Sequence, residues 1–524
     1  MTLLADAESE QVERPAVPPS RSDERFPTRF VVVSIVVSIV LRLRFLTTPL
    51  SADEGGYLAV ARAWASGKSL YTDAWVDRPQ GLLLLFRGWD GLTGGSPEAI
   101  RAMAIVFGSI AVVGVAYTAF ALAGQRAAAV ASLLVAIASA NARIEGFIAN
   151  GELLAGAIAA AGVAAACAYL FRNRSPWWLF ASGVLGGCAM SLKQSGFDGF
   201  LAVMVCVAVG ALTRERSWRQ VLREGALCLA GLASVMTLLV LHGVLLGFSA
   251  WWYAIAGYRI GGLNASDADW DRFWITSHLA APTLLPLAFA AIAGALVWLV
   301  RDRQIRRSTV LLPAWLAFAT VAFVTGGLFH RHYWVTLTFP FACAAAVAIA
   351  PRRRPRLGGG LLVALVCVII APSLISTARV VVLDRAEVAL VAHDDPRPVV
   401  DERVGQWYID HRTTDSTLFA MCASAGMYAA ADAVPPYPYL WLDGVQHGKD
   451  AQTKLVEMFS GDNAPTFVAV YQRIATCNPS GQVDALLKQR YTTVTAVEGA
   501  RILELRDHLP GGQLPGRRAF TTAT

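Results

Sequence analysis

Two carboxylates stand side by side in Ser51-Ala52-Asp53-Glu54-Gly55-Gly56-Tyr57, and the same stretch continues through Tyr71-Thr72-Asp73 to Asp77-Arg78-Pro79-Gln80-Gly81. Carboxylates, phenols and a guanidinium at this density suit proton transfer, cation ligation or the binding of an anionic group. A purely local reading stands beside the chemical one. Ser51 and Glu54 match a capping box, and acids suit a helix N-terminus; this accounts for Glu54 well and for Asp53 only in part. Further along, Glu152 follows Asn150-Gly151, and Glu145 competes with it in the same loop. Lys193-Gln194 and His330-Arg331-His332-Tyr333 complete the polar set. Each has a bland alternative: an acid in a first turn, a lysine that snorkels, a tyrosine at an interface. Two histidines flanking an arginine are nonetheless costly beside lipid, which favours phosphate recognition or metal ligation there.

The elements that must position these groups are membrane helices. Hydrophobic residues make up 55% of the 524 and charged ones 16%, with a mean hydropathy of +0.48; a soluble chain carries roughly a quarter charged residues. Apolar runs of a bilayer-spanning length fall at 29–49, 99–123, 126–140, 153–171, 177–192, 196–213, 225–247, 279–300, 309–328, 333–350 and 358–377. The fold class expected is therefore an α-helical polytopic membrane protein of about eleven spans. Alternate connections are rich in arginine, among them Arg214, Arg216, Arg219 and Arg223, and then Arg352, Arg353, Arg354 and Arg356. Basic short loops stay inside, so the N-terminus is expected in the cytoplasm. Loops 51–98, 141–152 and 248–278, the turns at Lys193 and His330, and everything after 377 are expected outside the cytoplasm, in a multi-pass protein of the plasma (inner) membrane. The net charge of +7 thus reports topology, and no nucleic-acid partner is expected.

Residues 1–28 are polar and lack a signal-peptide core, so they predict a disordered cytoplasmic tail. The transmembrane domain covers 29–377. Beyond it, 378–509 alternates helix and strand patterns, predicting a small extracytoplasmic α/β domain with strands at 417–421, 466–471, 491–497 and 501–505. Its reading is a lid or acceptor-docking module. The Gly- and Pro-bearing end, 510–524, predicts disorder. Six cysteines lie in apolar spans; Cys422 and Cys477 lie in the exported domain and are a disulfide candidate.

Arg42 and Arg44 near the outer end of the first span read as snorkelling, with lipid phosphate as the alternative. Trp251-Trp252-Tyr253 with Tyr258 and Arg259 reads first as an aromatic belt and second as a sugar-stacking wall.

An Asp-Glu pair just after the first span, a downstream Tyr-x-Asp and a basic-Pro turn resemble the GT-C glycosyltransferases, and within them the protein O-mannosyltransferase and aminoarabinose-transferase branch. The likeness extends coarsely over the chain: a long first outward loop, an acid after the third span, Lys-Gln after the fifth, a His/Tyr motif between late spans and an exported C-terminal domain. One departure is Arg78-Pro79-Gln80 where that branch commonly has Lys-Pro-Pro; the positive charge is kept. The resemblance implies transfer of a sugar from a polyprenyl-phosphate donor to a glycan, lipid or protein acceptor, through an oxocarbenium-like state. It assigns Asp53 as general base, Glu54 as a group that orients the acceptor or helps to hold a divalent cation (Mg2+, Mn2+ or Ca2+), and Glu152 as a second catalytic acid. Arg78, Lys193, His330, Arg331 and His332 would contact the donor phosphate. Tyr57, Tyr71, Tyr333 and Arg259 would contact acceptor or sugar. The Ala- and Arg-rich composition suits a bacterium for which mannose or arabinose is a reasonable donor sugar. Two other classes are weighed against this one. A transporter or flippase would want ionisable groups at mid-membrane and broken helices in matched halves, and a non-catalytic envelope scaffold would tolerate loss of Asp53.

Overall fold

The computed structural model describes residues 24–262, 269–301, 304–350, 358–422 and 424–506. The 352–356 arginine cluster, most of the predicted N-terminal tail and all of the predicted 510–524 tail lie outside these residues. Within the N-terminal tail, residues 24–27 are not loose: Arg172 Nη2 donates to the Glu24 carbonyl at 2.9 Å, and Phe26 packs edge-on against Phe120. Residues 24–27 are therefore part of the folded protein.

Each apolar run predicted to span is helical. They are α1 (Thr28–Leu43), α4 (Pro97–Ala123), α5 (Gln125–Ala138), α6 (Gly151–Arg172), α7 (Trp177–Leu192), α8 (Asp198–Leu212), α9 (Trp218–Leu245), α12 (Trp270–Arg301), α13 (Arg307–Val324), α14 (Val335–Ile349) and α15 (Gly359–Val381). Among the described residues, seven helices are long and apolar enough to cross a bilayer. Three more, α5, α7 and α8, are apolar but shorter. Many apolar side chains of α1, α9, α12 and α15 face outward, among them Val33, Leu241, Phe289 and Val368, as expected where lipid replaces protein contacts. The α4, α5 and α6 faces are buried instead and form the middle of the bundle.

The 51–98 loop is not an open strap. It folds into α2 (Ala52–Ala65) and α3 (Gln80–Thr93), and the segment after α9 adds the short α10 (Phe248–Trp252) and α11 (Tyr258–Gly262). Ser51 caps α2: its hydroxyl accepts from Glu54 N at 3.2 Å and Glu54 Oε2 accepts from Ser51 N at 3.1 Å. The reciprocal bonds fulfil the predicted capping box. Helix α3 ends at Gly94, whose left-handed φ of 76° a side chain would resist.

The C-terminal domain holds a four-stranded sheet in the order β1-β2-β4-β3, formed by β1 (Leu418–Met421), β2 (Phe467–Val470), β3 (Tyr491–Val497) and β4 (Ala500–Leu505). Strands β1 and β2 run parallel; β4 is antiparallel to both β2 and β3. The β3-β4 turn uses Glu498 and Gly499, both at positive φ, as a two-residue hairpin requires. Helices α16 (Arg385–His393) and α17 (Arg397–His411) lead into the sheet, and α18 (Ala425–Ala430), α19 (Leu442–His447), α20 (Ala451–Ser460) and α21 (Gln482–Arg490) complete the domain. Cys422 and Cys477 are joined by a disulfide, with Cα atoms 5.3 Å apart.

The domain is seated on the membrane part, and α2 is the contact. A Cβ on Gly55 would stand 2.6 Å from the Gly426 backbone, and one on Gly56 would stand 2.4 Å from the Trp441 ring. The two glycines let α18 and Trp441 lie against the helix turn that follows Asp53. Trp75 N donates to the Pro438 carbonyl at 3.0 Å, which ties the first loop to the domain a second time.

Candidate active site

Asp53 and Glu54 are neighbours in the first turn of α2, so their side chains leave the helix about 100° apart. They meet different surroundings. Glu54 points into the protein and is fully buried; Arg101 Nε lies 2.8 Å from its Oε1, and Ala149 N donates to the same oxygen at 2.8 Å. The other Arg101 nitrogens hold the Phe45 and Pro49 carbonyls and Thr48 Oγ1. Glu54 is the keystone of this junction between α1, α2, α4 and the 149 loop. The expected acceptor or cation role is corrected on that ground: its oxygens are committed and sealed.

Asp53 remains accessible, its side chain 23% exposed. Trp441 Nε1 donates to Oδ1 at 3.2 Å, and His332 Nε2 stands 3.7 Å from Oδ2. His332 Nε2 is also 3.8 Å from Glu152 Oε1. Glu152 sits in the first turn of α6, where Asn150 provides the cap, and it pairs with Lys193 at the end of α7. Lys193 Nζ lies 4.3 Å above the Tyr333 ring. Burial lowers the Lys193 pKa, and Glu152 acts against that. The imidazole thus stands between two carboxylates, with a lysine on the far side of one.

Glu145 fixes the imidazole from behind. Its Oε2 is 2.7 Å from His332 Nδ1, and Oε1 bonds His393 of α16. Burial disfavours ionisation of Glu145, but the two histidines outweigh burial and hold its carboxyl well below the usual range. The residue occupies left-handed backbone, φ 54°, a cost that the surrounding bonds sustain. His330 stacks on His332 with ring centroids 5.5 Å apart; burial first, then the neighbouring His332 and Arg272 charges, push its pKa down to about 3.

A cationic group lies at the same end of the helix bundle. Arg78 Nη1 is 2.7 Å from Asp77 Oδ1, and Arg259 pairs with the second Asp77 oxygen. Burial opposes ionisation of Asp77, yet the two guanidinium groups keep it below the usual carboxylate range. Arg78 Nε donates to the Tyr57 hydroxyl at 3.2 Å, while Tyr71 OH donates to the Arg78 carbonyl at 2.8 Å. Gln194 Nε2 donates to the Asp77 carbonyl at 2.8 Å, so the Lys193-Gln194 turn supports this loop as well.

Several expected contacts are corrected by these positions. Arg331 turns away from the cluster to the Val391 and Ala392 carbonyls and to Asp394, which docks α16 and leaves no phosphate role. Tyr71 is buried at left-handed φ and spends its hydroxyl on the Arg78 turn, so it shapes the loop and does not reach an acceptor. Tyr57 is buried against Phe86 and Trp441 and acts on Arg78. Arg259 is drawn to Asp77, beside the phosphate candidates. Arg42 is buried, bonded to Ser139 O at 2.7 Å and Gly146 O at 3.0 Å; Arg44 bonds the Leu383 carbonyl at 2.6 Å. Neither snorkels. Trp251 is likewise buried, donating to Gln80 Oε1, while Tyr253 and Tyr258 pack on Trp75. That segment is an internal joint more than a belt.

Asp53 and Glu54 do not fit a shared divalent cation: one faces the cluster and the other Arg101, and an imidazole stands between Asp53 and Glu152. Among the described residues, no three or more His, Cys, Asp and Glu side chains gather as an ion site.

Eleven membrane-type helices among the described residues, with a C-terminal α/β domain packed on them, give the fold seen in solved GT-C glycosyltransferases. The likeness that the Asp-Glu pair and the Arg-Pro turn suggested extends to the architecture. A family profile described as dolichyl-phosphate-mannose-protein mannosyltransferase matches residues 90–259. The crystal structure of ArnT from Cupriavidus metallidurans bound to undecaprenyl phosphate is similar over 93% of this chain and 99% of its own, with a TM-score of 0.63 at 14% identity. The archaeal oligosaccharyltransferase AglB from Archaeoglobus fulgidus, solved with an inhibitory peptide and a dolichol-phosphate, is similar over 92% of this chain and 75% of its own, with a TM-score of 0.52 at 12% identity. The mycobacterial arabinofuranosyltransferase AftD matches over 92% of this chain and 42% of its own, with a TM-score of 0.52 at 15% identity. No curated protein matches the sequence.

Proposed function

We propose that the protein is a membrane glycosyltransferase that moves a sugar from a polyprenyl-phosphate donor to an acceptor outside the cytoplasm, with inversion at the anomeric carbon. The observation that carries this is Asp53: an accessible carboxylate oriented by Trp441 and His332, on the same outer face as Arg78, Arg259 and Lys193. The acceptor hydroxyl attacks the anomeric carbon, its proton passes to Asp53, and the bond from that carbon to the phosphate oxygen breaks. The hydroxyl proton becomes acidic as the new bond forms, which lets a carboxylate take it. Polyprenyl phosphate leaves with the bonding pair, and Arg78, with Lys193 beside it, meets the growing negative charge; preorganised groups of this kind contribute several kcal/mol. His332, held by Glu145, orients Asp53 and Glu152.

The ArnT and AglB structures hold polyprenyl phosphates, which supports that donor class here. Mannose and arabinose remain the candidate sugars. The arginine-rich alternate loops support a cytoplasmic N-terminus and an exported C-terminal domain. The test is transfer of radiolabelled sugar from a panel of polyprenyl-phosphate donors in membranes carrying wild type or Asp53→Asn at matched protein levels. Transfer by wild type that falls at least a hundredfold in the variant is expected; equal transfer by both would remove Asp53 as the base.

A further inference from the structure

Behind the α2 turn that carries Asp53 lies a cavity of about 640 Å3, bounded by the exported domain on one side and the outer rim of the membrane part on the other. Its volume falls in the range of small-ligand sites, ~300–1,000 Å3. Pro49, Leu50 and Leu58 supply an apolar wall from the membrane part. The opposite wall is polar and comes from α16 and α17: Arg385, Asp401, Glu402, Arg403 and Gln406.

Asp401 is the unusual member. It is 3% exposed. Its Oδ1 accepts from Ser424 Oγ and, at 2.9 Å, from Tyr471 OH. Its Oδ2 has no hydrogen-bond partner. That oxygen faces bare backbone, because a Cβ on Gly426 would stand 2.8 Å from it, and Gly426 is itself part of the cavity wall. An unpaired buried oxygen is destabilising, so a partner supplied from the cavity would recover that loss. Burial pushes the Asp401 pKa up to about 7, so near neutrality Oδ2 can present a proton.

The remaining lining selects among ligands. Arg385 and Glu402 are paired at 2.6 Å, and acids and bases alternate along the wall, which leaves no uncompensated positive patch for a phosphate. Donors and acceptors interleaved opposite an apolar face match a ring with hydroxyls on its edges and C–H groups on its faces. We infer that this cavity binds the neutral glycan portion of the acceptor, with Asp401, Glu402, Gln406 and the two arginines taking its hydroxyls. The cavity adjoins the base: the Gly426 Cβ position lies 3.8 Å from the Cα of Ala52, next to Asp53 in the chain. A glycan seated there is therefore held one helix face away from the reacting carboxylate.

The inference deepens the transferase reading, so its first test does not depend on turnover. Full-length protein in lipid nanodiscs is titrated with methyl α-mannopyranoside and methyl α-arabinofuranoside by saturation-transfer NMR. Saturable binding of at least one glycoside is expected in wild type and in Asp53→Asn. Gly426→Ala, which closes the space over Oδ2, and Gln406→Ala on the exposed side of α17 are each expected to weaken it at least fivefold, with the melting temperature of Gln406→Ala unchanged. In transfer assays the same two variants raise the KM for acceptor and leave the donor KM alone. Absence of saturable binding, binding indifferent to both variants, or a rise in donor KM instead would overturn the inference. Binding with these dependences in a protein that transfers no sugar would leave the site standing and sink the transferase reading alone.

Discussion

Trp441 and Asp53 are 388 residues apart in the chain, and the indole Nε1 of one donates to the carboxylate of the other at 3.2 Å. The candidate base in the membrane domain is thus held by the C-terminal domain, and two glycines behind it, Gly55 and Gly56, make the approach possible. Trp441→Phe removes the donor and keeps most of the packing on Tyr57. A hydrogen bond to a charged group is worth about 1.5–3 kcal/mol, so a fall in kcat of roughly tenfold to a hundredfold is expected, with the melting temperature little changed. Unaltered kcat in stopped transfer assays would assign Trp441 to packing alone.

Asp53 and Glu54 should separate cleanly in one experiment. Asp53→Asn is expected to fold normally and lose transfer. Glu54→Gln breaks the buried pair with Arg101, and removal of one partner from such a pair costs about 3–5 kcal/mol. A lowered melting temperature and lower yield are therefore expected, measured by thermal unfolding in detergent. The reverse assignment of effects would mean that Glu54 is the reactive acid.

Glu145 is expected to act through His332. Glu145→Gln keeps the shape and removes the charge that both His332 Nδ1 and His393 Nδ1 face. The imidazole then loses its fixed orientation toward Asp53. The expected outcome is a kcat reduced at least tenfold with donor KM within twofold of wild type, and a pH-rate profile displaced from that of wild type. A loss confined to melting temperature would reduce Glu145 to a structural link with α16.

The pH dependence of stability has a signed contribution from Asp401. Its pKa rises from 3.8 in an unfolded chain to about 7 in the domain, through burial. The folded state holds the proton more tightly, so this contribution is fully present below pH 3.8. It is lost as pH rises through 7. Asp401→Asn removes the titration, and the melting temperature of the variant relative to wild type should climb between pH 4 and 8. A constant difference over that window would show that the carboxyl does not titrate there.

Much of the architecture was legible because its causes are local. Apolar runs of bilayer length mark the helices whatever surrounds them, and the strand and helix patterns of 401–505 reappear within a few residues in α17, β1, α20, β2, α21 and the β3-β4 hairpin. Ser51 and Glu54 announced their capping box because both partners lie within one turn. The short helices α16, α18 and α19 leave no such mark, since six to nine residues of mixed composition carry too little periodicity to distinguish them from loop.

The site was legible as a set of residue types and not as an arrangement. The sequence alone determined that acids, histidines and basic groups recur at the predicted outer ends of membrane helices, since the cost of burying charge in lipid confines them there. Only the tertiary structure decided which members of each cluster meet. Neighbours on a helix turn point about 100° apart, so Asp53 faces His332 while Glu54 faces Arg101, and His332 turns inward while Arg331 ties down α16. Trp441, Glu145 and His393 joined the site through contacts made by distant segments, and a hydrogen bond across 388 residues leaves no periodic trace in the chain that forms it.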